Sequence, residues 1–327
     1  MFRRTHLLAA AVAAALALSG CAGAPASSTP TASAPASFAP VNLTNCGEQV
    51  TIDTPPTAAV TLNQGATEVM LSLGLQDRMA GTAYLDDQIP ERWKAAYGQV
   101  KVLAEKYPAK EAFLAAKPDF AYASYSSAFT DQGVGSRGEL AAEKITTYVS
   151  PFGCPKGVEK APSTMDAAWA EVAEVARMFG VTDRADALIG QQKDALAGLK
   201  AKAAGKGKKV LWYDSGDKEL FAGTGGGGPQ IILDTVGATN VFADVEGNWA
   251  TVSWEKAIKA DPDVIVLADA SWSTAKAKIA YLEADPVLKK LKAVKAKAYV
   301  TIPFSESTPG IRLVDGATTV SDQIAKL

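Results

Sequence analysis

"SWEKAIKADPDVIVLADAS", residues 253–271, is a second copy of "AKEAFLAAKPDFAYASYSS", residues 109–127. Glu111 aligns with Glu255, Ala116 with Ala260, Pro118 with Pro262, Asp119 with Asp263 and Ser127 with Ser271. Each copy reads as a short helix opening on a glutamate, then a Pro-Asp turn, then an apolar run of strand length. What precedes each copy also matches. "AVTLNQGATEVMLSLGLQDRMAGTAY", from residue 59, follows an opening strand and turn closed by Asp53 to Pro56. It predicts a strand over 60–62, a helix over 65–73 stopped by Gly74, and a strand over 78–83. "PQIILDTVGATNVFADV", from Pro229, predicts a helix ending at Gly237 and a strand from Asn240. Two matched blocks in one order indicate a duplicated α/β unit. Alternating helices and apolar strands imply mostly parallel sheets with helices on both faces.

Between the copies lies a helical stretch, residues 163–209. Ser163 is expected to cap a helix reaching Phe179, and Thr182 a second one running to about Ala204. A helix of some 20 residues spans roughly 30 Å, long enough to act as a stiff bridge between two lobes. Val210 to Tyr213 then opens the second lobe as a strand.

The amino-terminal end reads as an export signal. Arg3 and Arg4 precede an apolar run from Leu7 to Leu18, too short for a membrane-spanning helix. The tetrapeptide Leu18-Ser19-Gly20-Cys21 resembles the lipobox of bacterial lipoproteins, which implies lipidation of Cys21. From Ala22 to Pro40 the chain is an uncharged mixture dominated by Ala, Pro, Ser and Thr that cannot build a core. Loss of the leader removes Arg3 and Arg4, so the formal charge falls from −2 to −4. With no basic stripe, nucleic acid is an unsuitable partner. The sole histidine, His6, lies in the leader, which excludes His-ligated metals and Ser-His or Cys-His catalysis in the mature chain. Outside the cytosol Cys46 and Cys154 are expected to pair, with two separate thiols as the alternative.

Together the lipobox, the two α/β units, the joining helix and the repeated glutamate-bearing helix make the chain similar to the solute-binding lipoproteins of ABC importers. The resemblance runs from about Cys46 to Leu327 and is to the class serving iron-siderophores and cobalamin. It implies two Rossmann-like α/β lobes joined by a single long helix, the class III arrangement, and no enzymatic activity. The division it implies is a leader over 1–20, a lipidated tether over 21–45, lobes over 46–181 and 207–327, and a joining helix over 182–206. It also implies a monomer on the outer face of the cytoplasmic membrane, with a small-molecule ligand between the lobes and no cofactor or metal of its own. Glu111 and Glu255 match the family glutamates that pair with arginines on a two-fold symmetric permease, one from each lobe.

Ligand contacts are expected where strands end. Tyr84, Tyr122, Tyr125, Phe129 and Phe152 hold such positions in the first lobe, and Tyr213, Trp249, Trp272 and Phe304 in the second. Aromatic walls suit a large planar or conjugated ligand. "GTGGGGP", residues 223–229, carries the weak form of a dinucleotide fingerprint. In an exported chain it reads better as a loop whose amides, at Gly225 and Gly226, face an anionic group at a helix start. Ser305, Glu306 and Ser307 offer hydrogen bonds, Pro309 starts a helix, and Arg312 follows one turn in. Only Arg137, Lys218 and Arg312 are candidate cleft cations, which disfavours a highly anionic siderophore. Glu68 reads as a capping-box residue three positions after Gly65.

A narrower resemblance rests on "GTAYLDD", "SPFGCP", "LWYDSG", "VSWEKAIKADPDVIVLADASWS" and "PFSESTPGIRLVDG". These look like an actinobacterial branch proposed to bind a deazaflavin-cofactor precursor, whose flat ring and phosphodiester would use aromatic walls and the glycine loop. An envelope enzyme is the remaining reading, but the chain offers no convergent carboxylate pair beside a nucleophile.

Overall fold

The computed structural model describes residues 38–327 apart from Ser163 and Pro309. The leader, Cys21 and most of the tether lie outside the described residues. A hairpin comes first, β1 (Val41–Asn45) against β2 (Glu48–Ile52), turning on Cys46 and Gly47 at φ 50° and 85°. Two consecutive left-handed residues match the right-handed twist of a hairpin, and the glycine adopts this at no steric cost. The tether therefore ends earlier than residue 45: Val41 is buried in β1, and Phe38 packs on the core beside Gly180.

The first sheet contains β3 (Ala59–Leu62), β4 (Met79–Ala83), β5 (Val102–Ala104), β6 (Phe120–Ala123) and β7 (Thr146–Val149). Its order is β5-β4-β3-β6-β7, with every neighbour parallel. Helices α1 (Gln64–Ser72), α2 (Glu91–Tyr97), α3 (Lys110–Ala115) and α4 (Arg137–Ala142) make the connections. Parallel strands need such crossovers, and the helices they bring cover both faces. The disulfide Cys46–Cys154 ties the hairpin tip to the loop after β7, across a separation of 108 residues. The Asn45 amide donates to the Val149 carbonyl at 2.7 Å and accepts from its N–H at 2.8 Å, extending the sheet edge.

Two helices lead out of this lobe, α5 (Met165–Phe179) and α6 (Thr182–Lys202). The cap of α5 is Thr164, whose hydroxyl accepts from Ala167, and Gly180 at φ 69° ends it. One end of α5 joins Val172, Val175, Ala176 and Phe179 to the first core; the other joins Met165, Ala168 and Trp169 to the second. The 21 residues of α6 make the same passage, with Ala185 in the first core and Leu196 and Leu199 in the second. The bridge is thus a pair of antiparallel-connected helices, and α6 stops at Lys202.

The second sheet contains β8 (Lys209–Ser215), β9 (Leu220–Gly223), β10 (Thr239–Asn240), β11 (Trp249–Val252), β12 (Val264–Asp269) and β13 (Tyr299–Pro303). Its order is β11-β9-β8-β12-β13, with β10 also on β8. β8, β12 and β13 run parallel, as does the short β10, whereas β9 and β11 are antiparallel additions. Its helices are α7 (Gly227–Val236), α8 (Trp254–Ala260), α9 (Ala275–Ala284), α10 (Lys292–Lys295) and α11 (Leu313–Ile324). The repeated stretch becomes α3–β6 in one lobe and α8–β12 in the other.

The repeated Pro-Asp has a structural purpose. Asp119 accepts from the Thr57 N–H at 2.7 Å, the Thr57 hydroxyl at 2.8 Å and the Ala58 N–H at 2.9 Å, just before β3. Asp263 accepts from the Lys209 N–H at 2.8 Å, the first residue of β8. Each carboxylate staples the start of its lobe's central strand to the turn before the neighbouring one. No helix among the described residues is long and apolar enough to cross a membrane.

Candidate functional site

The carboxyl ends of the strands meet in an acidic and aromatic cleft. After β4 the chain turns at Tyr84, in the left-handed region at φ 62°. This sets the Tyr84 ring edge-on to Tyr107, 4.8 Å between centroids. The Tyr107 hydroxyl donates to Asn63 at 3.1 Å and lies 3.0 Å from the Ser127 hydroxyl. Leu85, Asp86 and Asp87 follow, held because the Asp86 and Asp87 amides both donate to the Gln64 side-chain oxygen at 2.9 Å. On the other lobe, Ser271 and Trp272 lie in the turn after β12. Trp272 meets Phe304 edge-on at 5.3 Å, and Phe304 is backed by Trp249 at 6.3 Å.

These walls enclose a cavity of ≈530 Å³, lined by Tyr84, Leu85, Asp86, Tyr97, Ser271 and Trp272 among others. A neighbouring one of ≈420 Å³ shares Leu85, Asp86, Tyr97 and Ser271 with it. Burial pushes the Asp86 carboxyl up to about 7, reinforced by Asp87 and Asp214. Burial also lifts Asp214 to about 6, against the pull of Lys278 and the Ser215 hydroxyl. Tyr125 is raised by burial and then by Asp86, Tyr107, Asp214 and Tyr84, so its hydroxyl belongs to the same cluster. Lys278, lowered by burial to about 8, donates to the carbonyls of Ala268 and, at 2.9 Å, Ser273.

Beside the cleft an ionic clasp crosses between the lobes. Arg312 ion-pairs with Glu306, with Glu68 at 3.4 Å, with Asp315 at 3.5 Å and with Asp87 at 4.0 Å. Its guanidinium also donates to the Ser305 hydroxyl at 2.5 Å. Ser305 in turn donates to Asp87 from its amide at 2.8 Å and its hydroxyl at 2.7 Å. Burial raises the Glu68 carboxyl while Arg312 pulls it back down.

Several sequence expectations change here. Tyr122 lies 1 % exposed in the first core, its hydroxyl donating to Glu171 at 2.5 Å. Phe152 is buried among the residues joining α5 and α6 to the second sheet. Tyr213 is buried against Trp254, and Phe129 is buried under the first sheet. None of these four presents a face to a ligand. Strands buried on both faces lack alternation, so their sequence does not say which way a tyrosine points.

The glycine loop is no anion cradle. The amides of Thr224, Gly225 and Gly226 donate to the carbonyls of Asn248, Val245 and Gly247 at 3.1, 3.0 and 2.8 Å. A side chain at Gly225 would meet the Ala243 oxygen at 2.2 Å, so these glycines serve close packing of two loops. Ser305, Glu306 and Arg312 belong to the clasp and not to a free cleft surface. Glu68 is its partner from α1 and caps nothing: Asn63 holds the N-cap position, without a side-chain bond. Arg137 binds Thr147, the Asn45 carbonyl and Glu48 near the disulfide, and Lys218 sits in the exposed turn between β8 and β9. Ser163 and Pro309 lie outside the described residues, and the helix expected from Pro309 begins at Leu313.

Tyr84, Tyr125, Trp249, Trp272 and Phe304 are brought together around the cleft. Asp86, Asp214 and Tyr107 were missed. An acidic pair directly after a strand, in "TAYLDD", and an aspartate closing the apolar run "VLWYDS" were the available signals. Glu111 and Glu255 are exposed in the first turns of α3 and α8, and neither makes an ion pair or hydrogen bond among the described residues.

Residues 60–306 match the family model described as periplasmic binding protein. The chain belongs to that family. A periplasmic binding protein from Veillonella parvula has the same fold, with a TM-score of 0.78 and 30 % identity over 88 % of this chain and 98 % of that one. The ABC transporter substrate-binding lipoprotein YvrC of Bacillus subtilis is 26 % identical over 99 % of this chain and 98 % of its own. An ABC-type Fe3+-hydroxamate transport protein from Saccharomonospora viridis gives a TM-score of 0.73 at 24 % identity, covering 87 % of this chain and 98 % of that one. These relatives are solute-binding proteins rather than enzymes.

Proposed function

We propose that the protein is the extracytoplasmic substrate-binding lipoprotein of an ABC importer, capturing an iron-siderophore-type chelate and delivering it to a permease dimer. The observation that carries this is the cavity between the two sets of strand ends, walled by Tyr84, Trp272 and Asp86, in a chain of the periplasmic binding protein family. Cys21 supplies the lipid anchor, the region before Phe38 the tether, and the protein works as a monomer. Glu111 and Glu255 dock the two lobes on the permease, since unpaired exposed carboxylates at equivalent helix starts suit a two-fold partner. The deazaflavin-precursor reading loses its anion seat, because the Gly225 and Gly226 amides are already bonded.

Fluorescence titration tests the ligand class. A ferric trihydroxamate should quench the cleft tryptophans, while cyanocobalamin and a flavin-type ring compound should not; quenching by either of those alone reassigns the ligand, and turnover of any of them contradicts the binding role. For docking, Glu111→Ala with Glu255→Ala should keep ligand affinity within about twofold and abolish cellular uptake. Unchanged uptake removes the docking role.

A further inference from the structure

Lys278 is a buried cation, 3 % exposed, one turn into α9. Lysine is rarely found so deep, because burying an ammonium is costly. Side chains on a helix tilt toward its amino-terminal end, so this one reaches back past the start of α9 to the loop after β12. It donates to the Ala268 carbonyl and, at 2.9 Å, to the Ser273 carbonyl. Its Nζ stands 5.8 Å from the Tyr213 ring centroid. Among the described residues it forms no ion pair; Asp214 and Asp269 pull on it without reaching ion-pair distance.

The loop it holds is the one that carries Trp272. The Ala270 N–H donates to the Ser273 carbonyl at 3.2 Å and the Ser273 N–H to the Ala270 carbonyl at 3.1 Å, with Ser271 and Trp272 at the corner between them. Ala268 precedes this turn and Ser273 closes it, so one ammonium ties its two limbs together. Just beyond, the Ala275 N–H donates to Asp269 at 2.7 Å, and Thr274 caps α9. Trp272 is 54 % exposed, meets Phe304 edge-on, and lines the cavity with Tyr84, Leu85, Asp86 and Tyr97. An indole so exposed is placed by the turn beneath it more than by packing around it. Order present before a ligand arrives is not lost when it binds, so a wall held in advance gains affinity.

We infer that Lys278 is a positioning residue for ligand binding: it lines neither cavity of the cleft but fastens the turn that presents the Trp272 indole to the ligand. This rests on the binding-protein reading and deepens it. Trp272 makes the contact, and Lys278 acts through Trp272.

The test uses the mature full-length protein labelled with 5-fluorotryptophan, and Trp272→Phe assigns the Trp272 fluorine resonance. In Lys278→Met, which keeps length and removes the donors, that line should shift and broaden without ligand, while those of Trp93 and Trp169 stay. Ferrioxamine B, titrated by calorimetry, should bind at least fivefold more weakly to Lys278→Met than to the unaltered protein. In a Trp272→Ala background the same lysine change should alter affinity by less than twofold. An unmoved Trp272 line, an affinity within twofold of the unaltered protein, or a fivefold loss that persists without the indole overturns the inference. So does movement of the Trp93 and Trp169 lines or failure of Lys278→Met to fold, because the lysine would then hold the lobe and not the turn. If cyanocobalamin or the flavin-type compound binds in place of ferrioxamine B, the same cycle is read with it. If none of the three binds, the binding-protein reading falls, and the fluorine spectrum still decides whether Lys278 holds the turn.

Discussion

The two lobes are alike on one side and different on the other. In both, a glutamate-bearing helix leads through Pro-Asp into a parallel strand, β6 or β12, flanked by β3 and β7 or by β8 and β13. Where the first lobe continues with parallel β4 and β5, the second folds back into antiparallel β9 and β11. The retained half carries Glu111 and Glu255. The divergent half carries Asp86 on one lobe and Trp249 on the other. A two-fold partner needs the same group twice, whereas a small asymmetric ligand needs different groups from each wall. Under the proposed function, symmetry is retained on the side assigned to the permease and lost on the side assigned to the ligand.

The sharpest way to break that comparison is at the clasp, which has no symmetric counterpart. Arg312→Met leaves Glu68 and Glu306 buried without their cation. The loss should be on the order of 3–5 kcal/mol in urea unfolding, with part recovered by adding Glu68→Gln. A loss below about 1 kcal/mol would show that the lobes do not depend on it.

A second asymmetry is the carboxyl that α5 buries against the first sheet. Glu171 accepts from Tyr122 and, at 3.0 Å, from Ser150, and burial raises it to about 7. In the second lobe α7 and α11 bury Ile231, Ile232, Ala317 and Val320 instead. Because the folded protein favours the protonated acid, this stabilisation is complete below the ordinary value of about 4.5 and fades as the pH rises through about 7. Between pH 5 and 8 the loss should be roughly 2–3 kcal/mol, and Glu171→Gln should flatten that profile by the same amount. An identical slope in the variant would locate the pH dependence elsewhere, among Glu68, Asp86 and Asp214, which are raised in the same direction.

The smallest effect compares the two staples directly. Asp119 accepts three bonds, whereas Asp263 accepts one from backbone and one from the exposed Lys292. Asp119→Ala should cost about 2 kcal/mol and Asp263→Ala about 1 kcal/mol. The reverse order in chemical denaturation would mean that the second lobe relies more on its parallel core.

Much of this architecture was legible in the chain. The repeat, the joining helices and the Pro-Asp turns are local patterns, and local hydrogen bonding follows sequence closely. The β1 strand was hidden because Val41-Asn42-Leu43 adjoins a coreless tether and gains its partner only from β2. The glycine loop misled because its acceptors come from residues 245–248, brought there by the fold. Glu68 looked like a cap because its real partner, Arg312, lies at the other end of the chain.

By itself the sequence determined a doubled α/β unit with a helical bridge and one matched glutamate per half. Tertiary structure alone decided that Asp86 and Trp272 line one cavity, that Tyr122 faces a core and that Arg312 bridges Glu68 and Glu306. The reason is physical: periodicity and turn chemistry act between neighbours along the chain, but charge, burial and hydrogen bonding act through space, and only the folded chain fixes which distant groups are close.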